Sequence, residues 1–129
     1  MNSKQFLAYK NYKGLIIEGT GLGHMPLDVV DNETKEHENI KKALKELTKN
    51  TILVMTSSCL FGRINLNVYS KGRELQDIGV ISGEDMLPET AFVKLSWLIA
   101  NFDKKDVKGF IGKNLSGEIN ENLTKEFLE

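Results

Sequence analysis

The residues of this chain that could do chemistry fall into three short stretches. The first is Gly19-Thr20-Gly21-Leu22-Gly23-His24, three glycines in alternate positions closed by a histidine. The second is Ser57-Ser58-Cys59, continued by Gly62-Arg63-Ile64-Asn65-Leu66-Asn67. The third is the adjacent carboxylate pair Glu84-Asp85. A histidine on a glycine-rich loop suits an acid, a base, a ligand or a hydrogen-bond donor. The glycines give the backbone access to φ > 0 and let a ligand or another chain come close. Composition alone leans slightly to the other reading of the loop, a structural strand exit.

Several chemistries do not fit. The glycines lack the Gly-x-Gly-x-x-Gly spacing, Met25-Pro26 follows where a helix should open, and no Gly-Lys-Ser or Gly-Lys-Thr is present, so dinucleotide and P-loop patterns are absent. A nucleophile needs a partnered base, and none is signalled beside Cys59. That cysteine reads as a buried small apolar group. Neither serine sits in a Gly-x-Ser-x-Gly elbow. His37 lies on a charged helical face, and no spacing supports a metal site. Glu84 and Asp85, being adjacent, form no simple dyad and read as a cap for the helix that Pro88 begins. No cofactor is implied.

The chain has 129 residues, suited to one domain. With 40% hydrophobic and 27% charged residues it can bury a core without staples. A net charge of -1 gives no general attraction to nucleic acid or an anionic membrane. A single cysteine allows no internal disulfide. No signal peptide or membrane-length apolar stretch is seen, and the expected location is cytoplasmic.

The elements that must position the three stretches follow from periodicity and punctuation. Ser3 to Tyr12 reads as a helix capped by Ser3 and stopped by Gly14. Leu15 to Ile17 reads as a strand. Asp31 or Asn32 caps a helix running to Lys49, whose buried stripe is Ile40, Ala43, Leu44 and Leu47, with Asn50 as a left-handed cap. Thr51 to Thr56 is apolar without alternation, as in a strand covered on both faces. Gly62 to Asn67 reads either as a short edge strand or as a crossing segment. Tyr69 to Ile78 is a helix stopped by Gly79, and Val80-Ile81 a short third strand. Glu89 to Phe102 is a helix with Ala91, Phe92, Leu95, Leu98, Ile99 and Phe102 inward. Asp103 caps a last helix with Val107, Phe110 and Ile111 inward. Strands separated by helices imply a small three-layer α/β domain with a short parallel sheet. Ligands in such sheets gather outside the carboxyl ends of the strands. That edge would carry Thr20, His24, Ser57, Ser58, Cys59, Arg63, Asn65 and Asn67.

Three ordered motifs carry a resemblance to a known family. They are residues 14–24 (GLIIEGTGLGH), 55–75 (MTSSCLFGRINLNVYSKGREL) and 79–95 (GVISGEDMLPETAFVKL), with Asn114-Leu-Ser-Gly-Glu-Ile as a matching end. Together they resemble the C-terminal domain of the asparaginase family, and within it the branch that forms the glutaminase component of archaeal glutamyl-tRNA(Gln) amidotransferases. The resemblance covers residues 3 to 119 and implies an amidohydrolase that releases ammonia from glutamine or asparagine. It implies catalytic threonines and an Asp-Lys pair on a separate N-terminal domain, a C-terminal domain that completes a neighbouring protomer's site, and a partner protein that amidates glutamate on tRNA.

The resemblance further implies that the Gly-x-Gly-Asn loop holds the substrate amino acid, with His24 at the asparagine position. No catalytic residue is then expected in this chain, which would supply a substrate-binding loop (Thr20, Gly21, Gly23, His24) and dimer contacts. Ser57, Arg63, Asn65 and Glu84 are expected at the interface or ligand edge. Residues 1–119 would form the domain without the family's first strand, and 120–129 a polar tail. The expected partners are a second copy, an N-terminal catalytic domain, and a transamidating protein with tRNA. Alternatives are a non-enzymatic interaction or dimerisation module and the C-terminal domain of a type I asparaginase.

Overall fold

Thr51 to Thr56 dictates the layering. A run apolar on both faces of a strand must be covered on both sides, which takes two layers of helices. A computed structural model describes residues 1–122 and has this arrangement. The central strand β2 (Ile52–Ser57) is buried at every residue. It pairs in parallel with β1 (Gly14–Gly19) on one side and β3 (Ile81–Ser82) on the other, in the order β1-β2-β3. Helices α1 (Ser3–Leu7), α2 (Glu36–Leu47) and α3 (Ser70–Ile78) cover one face. Helices α4 (Pro88–Asn101) and α5 (Lys104–Phe110) cover the other.

The two cores follow the alternation of β2. Leu53 and Met55 join Ile17, Ile40, Leu44, Leu47 and Leu75 on the first face. Ile52 and Val54 join Leu95, Leu98, Val107 and Ile111 on the second. The α2 stripe of Ile40, Ala43, Leu44 and Leu47 is buried as its spacing requires. Gly79 ends α3 with φ 107°, a conformation that favours glycine.

Several local expectations are corrected. The cap of α1 is Asn2, whose side chain accepts from Gln5 N while Gln5 reaches back to Asn2 N, a capping box; the helix ends at Leu7. Neither Asp31 nor Asn32 caps α2, which follows Lys35 without a side-chain cap; the Asp31 carboxylate accepts from the N–H groups of Glu33 and Thr34 and so caps the 3-10 turn Glu33–Lys35 that leads into the helix. Asn50 is not left-handed, because the α2 C-terminus turns through Thr48 in the right-handed region. Gly62 to Asn67 is a crossing segment: Ile64 N donates to Glu84 O and Asn65 N to Leu22 O, so its backbone is shared between two loops. Phe92 points outward at 64% exposure; the buried face of α4 runs through Ala91, Lys94, Leu95 and Leu98. Of the polar tail read from residue 120, residues 123–129 lie outside the described part.

Lys94 occupies a buried position because its charge is met there. Its ammonium pairs with Glu118 Oε1 at 2.6 Å and also donates to Lys113 O. Burial raises the Glu118 carboxyl, but Lys94 and the N–H groups of Leu115 and Ser116 outweigh it and hold the carboxyl at about 2. The chain from Lys113 to Glu118 is thereby clipped onto α4.

Candidate functional site

Each strand ends by feeding a loop at the same edge of the sheet, and the three loops are joined by specific bonds. After β1 the backbone closes a tight turn: Thr20 N donates to His24 O at 2.9 Å, and His24 N returns the bond to Thr20 O at 2.9 Å. Gly21 (φ 53°) and Gly23 (φ 102°) make the turn. Gly23 also lies against the crossing segment, where a Cβ would meet Ile64 and Leu66 side-chain atoms at 3.1 Å.

The loop after β2 holds this turn from below. Ser57 is 5% exposed, and its hydroxyl donates to Gly21 O at 2.6 Å while accepting from Cys59 N. Ser58 N donates to Gly19 O, and Asn65 N to Leu22 O. The hydroxyl of Ser57 is therefore a fastening for the glycine turn. Cys59, expected to be buried, is exposed, because the loop lifts it away from β2. The Asn65 side chain accepts from Asn67 N in a local turn.

The loop after β3 is fixed through Glu84. Glu84 adopts φ 57°, the one positive φ of a non-glycine residue among the described residues. Three bonds hold it there: Glu84 N donates to Ser82 Oγ, Glu84 O accepts from Ile64 N, and its carboxylate meets Arg63 Nη2 at 2.6 Å. A strained backbone persists only where surroundings over-determine it. Asp85 accepts from the backbone and side chain of Asn120, and Arg63 donates to Asn120 O. The expectation that Glu84-Asp85 caps α4 is thus corrected: the pair binds Arg63 and Asn120 across the edge.

His24 is half-buried beside this framework, its ring edge-on to Tyr69 with centroids 4.9 Å apart. Such pairs contribute about 0.5–1.5 kcal/mol beyond burial and orient the ring. Tyr69 and Asn120 are site residues that sequence reasoning missed. Neither has a local signal, since each acts on a partner far away in the chain. Around the same edge stand exposed apolar side chains: Val29, Val30, Leu60, Phe61 and Val68, with Phe61 76% exposed. Among the described residues no group of three His, Cys, Asp or Glu converges as a metal site would require. No helix among them is long and apolar enough to cross a membrane.

The arrangement is an edge with a rigid glycine turn, an oriented imidazole, a braced Arg63–Glu84 pair and an apolar rim. It is suited to gripping a polar ligand and meeting another protein surface.

Comparison with known proteins identifies the family of the fold. The family described as glutaminase/asparaginase C-terminal domain matches residues 2–109. The D-type subunit of glutamyl-tRNA(Gln) amidotransferase from Methanobrevibacter smithii is 50% identical over 119 residues, covering 92% of this chain and 25% of the relative. The protein of the same name from Thermococcus kodakarensis is 48% identical over 117 residues, covering 89% of this chain and 24% of the relative. Among solved structures, L-asparaginase I from Vibrio cholerae superimposes with a TM-score of 0.80 at 28% identity, over 93% of this chain and 35% of that one. The thermostable L-asparaginase from Thermococcus kodakarensis gives 0.82 at 25% identity, over 95% and 35%. The chain spans about a quarter of the length of the curated relatives it matches. This α/β chain belongs to the glutaminase/asparaginase C-terminal domain family.

Proposed function

We propose that this domain supplies the substrate-holding edge and inter-protomer contacts of an asparaginase-like glutamine amidohydrolase, of the kind that provides ammonia for amidating glutamate on tRNA(Gln). The observation that carries the reading is the locked turn Thr20–His24 with His24 presented edge-on to Tyr69. A turn bonded at both ends and fastened by Ser57 keeps a contact residue in place before the ligand arrives. Covalent amide hydrolysis needs a nucleophile beside a base. Ser57 is committed to Gly21 O, and the reading places the nucleophile on another polypeptide segment. The name shared by the relatives supports the amidotransferase branch and, with it, a cytoplasmic setting and a transamidating partner with tRNA.

The apolar rim of Leu60, Phe61, Val29 and Val30 favours a macromolecular contact at this same edge. It fits a catalytic domain or a second copy of the chain seated over the loops. It also supports a second reading, a non-enzymatic interaction or dimerisation module.

The test combines the chain with the part of the Methanobrevibacter smithii relative that it does not cover, and measures ammonia release from glutamine and from asparagine. His24→Ala is expected to raise KM with a smaller change in kcat, since His24 is placed as a binding contact. An unchanged KM would remove His24 from the substrate site. A monodisperse homodimer that ignores the added part would favour the interaction module.

A further inference from the structure

Helix α4 buries one flank through Ala91, Leu95 and Leu98 and leaves another in the open. On the open flank Glu89, Val93 and Trp97 stand four residues apart, so they form one row along the helix. Val93 and Trp97 are 66% and 54% exposed. The row continues past the end of α4: the Trp97 and Phe102 rings meet edge-on with centroids 5.7 Å apart, and Phe102 meets Phe110 at 5.3 Å. Opposite the row runs the segment that ends at Glu118, with Leu115 exposed. Between the two lies an open groove of about 760 Å³. The Lys94–Glu118 pair at its side brings no net charge. The apolar surface left in this patch is on the order of 400 Å², a size that in folded monomers often marks a contact surface.

The groove carries opposite charges at its two ends. Glu89 stands in the first turn of α4. At the far end of the aromatic row, Lys113 Nζ lies 5.8 Å from the Phe110 centroid. Both side chains are exposed, and among the described residues neither has an ion-pair partner. A surface with this polarity is complementary to itself under a two-fold axis perpendicular to α4, which turns the helix end for end. A parallel arrangement would set Glu89 against Glu89 and Lys113 against Lys113, and like charges in contact are unfavourable.

We propose that this flank of α4 is the interface of a homodimer, in which two copies lay α4 antiparallel across a two-fold axis between Val93 and Trp97. Glu89 of each copy then pairs with Lys113 of the other. Trp97 of each copy enters the groove of the other, against Val93, Phe102 and Leu115. Tryptophan is among the residues most enriched at such anchoring positions. With its polar rim the contact buries roughly 600–800 Å² per partner, the lower part of the range of specific interfaces. A contact of that size is expected to hold with a Kd of about 10–100 μM. The self-complementary charge pattern is what selects a second copy over a foreign chain. This flank is separate from the loop edge assigned to substrate, and the inference survives the failure of the amidohydrolase reading.

Trp97 is the only tryptophan of the chain, so its fluorescence reports on this face. The test dilutes the full chain from about 500 μM to about 1 μM, a range that brackets the expected Kd, and follows Trp97 emission alongside mass by sedimentation equilibrium. The expected result is a dimer at the high end with Trp97 emission at shorter wavelength, a monomer at the low end, and coincident transitions. Because the two-fold axis repeats every contact, Glu89→Lys turns two attractions into two repulsions and weakens the dimer about tenfold. Lys113→Glu does the same. Mixed in equal amounts, the two variants pair with each other, since each meets the opposite charge at both ends, and the mixture regains the affinity of the unaltered chain. Urea midpoints check that both variants, altered only at exposed charges, remain folded. A monomer at every concentration overturns the proposal. So does a dimer that forms without moving Trp97 emission, which assigns the contact to another face. Charge variants that dimerise as well as the unaltered chain, or that fail to recover when mixed, overturn it too. The same holds if the chain stays monomeric and its Trp97 emission shifts only when the uncovered part of the Methanobrevibacter smithii relative is added, which assigns the groove to that part.

Discussion

The glycine turn makes unequal demands at its two left-handed positions, and substituting alanine at each should show it. Gly21 has φ 53° with nothing within 4 Å of a Cβ, so Gly21→Ala meets only the conformational cost of about 1 kcal/mol. Gly23 has φ 102°, and its Cβ would press on Ile64 Cδ1, Ile64 Cγ2 and Leu66 Cδ2, each at 3.1 Å. Those side chains are buried and have little room to yield. Crowding of about 1–3 kcal/mol adds to the backbone term, giving about 2–4 kcal/mol for Gly23→Ala. With a urea m-value of about 1.5 kcal/mol/M, the midpoint falls by about 1.3–2.7 M for Gly23→Ala and by about 0.7 M for Gly21→Ala. The assay is equilibrium urea unfolding followed by circular dichroism, with m unchanged. Equal midpoints for the two variants would refute the claim that the turn is packed onto the crossing segment.

Lys94→Ala leaves Glu118 without its buried partner and should cost about 3 kcal/mol, while replacing both with apolar residues recovers most of the loss; urea unfolding of the single and double variants checks this. Glu118 is held at about 2, below its ordinary value of 4.5, so its stabilisation is complete above pH 4.5 and is lost as pH falls through about 2; thermal melts over that range should show a slope that Glu118→Gln flattens. Glu84→Gly and Glu84→Ala both lose the Arg63 pair, but glycine accepts φ 57°, so Glu84→Gly should be the more stable by about 1 kcal/mol in parallel melts.

The layering was legible because β2 lies in the middle. A strand covered on both faces has no room for polar alternation, so Ile52 to Met55 could be read directly. The α2 stripe was legible because its opposite face is charged throughout. Helix α4 was harder: it is apolar around most of its circumference, and spacing could not separate the buried Leu95 from the exposed Phe92. Lys94 was invisible as a core residue, because the carboxylate that permits its burial arrives 24 residues later, at Glu118. The α1 start was legible in principle, since Asn2 and Gln5 have capping-box spacing. At the candidate site, the glycine turn and its carboxyl-edge position were readable from Gly19 to His24. The Arg63–Glu84 pair and the Tyr69 contact were not, because loops define them only when the sheet brings their ends together.

On the proposed reading, this chain presents half of a site that another polypeptide segment completes. The direct measurement is ammonia release from glutamine and asparagine by the purified chain, alone and mixed with the part of the Methanobrevibacter smithii relative that it does not cover. The expected result is no turnover above background for either component alone and turnover in the mixture, lowered by His24→Ala at subsaturating substrate. Robust turnover by this chain alone would contradict the half-site reading.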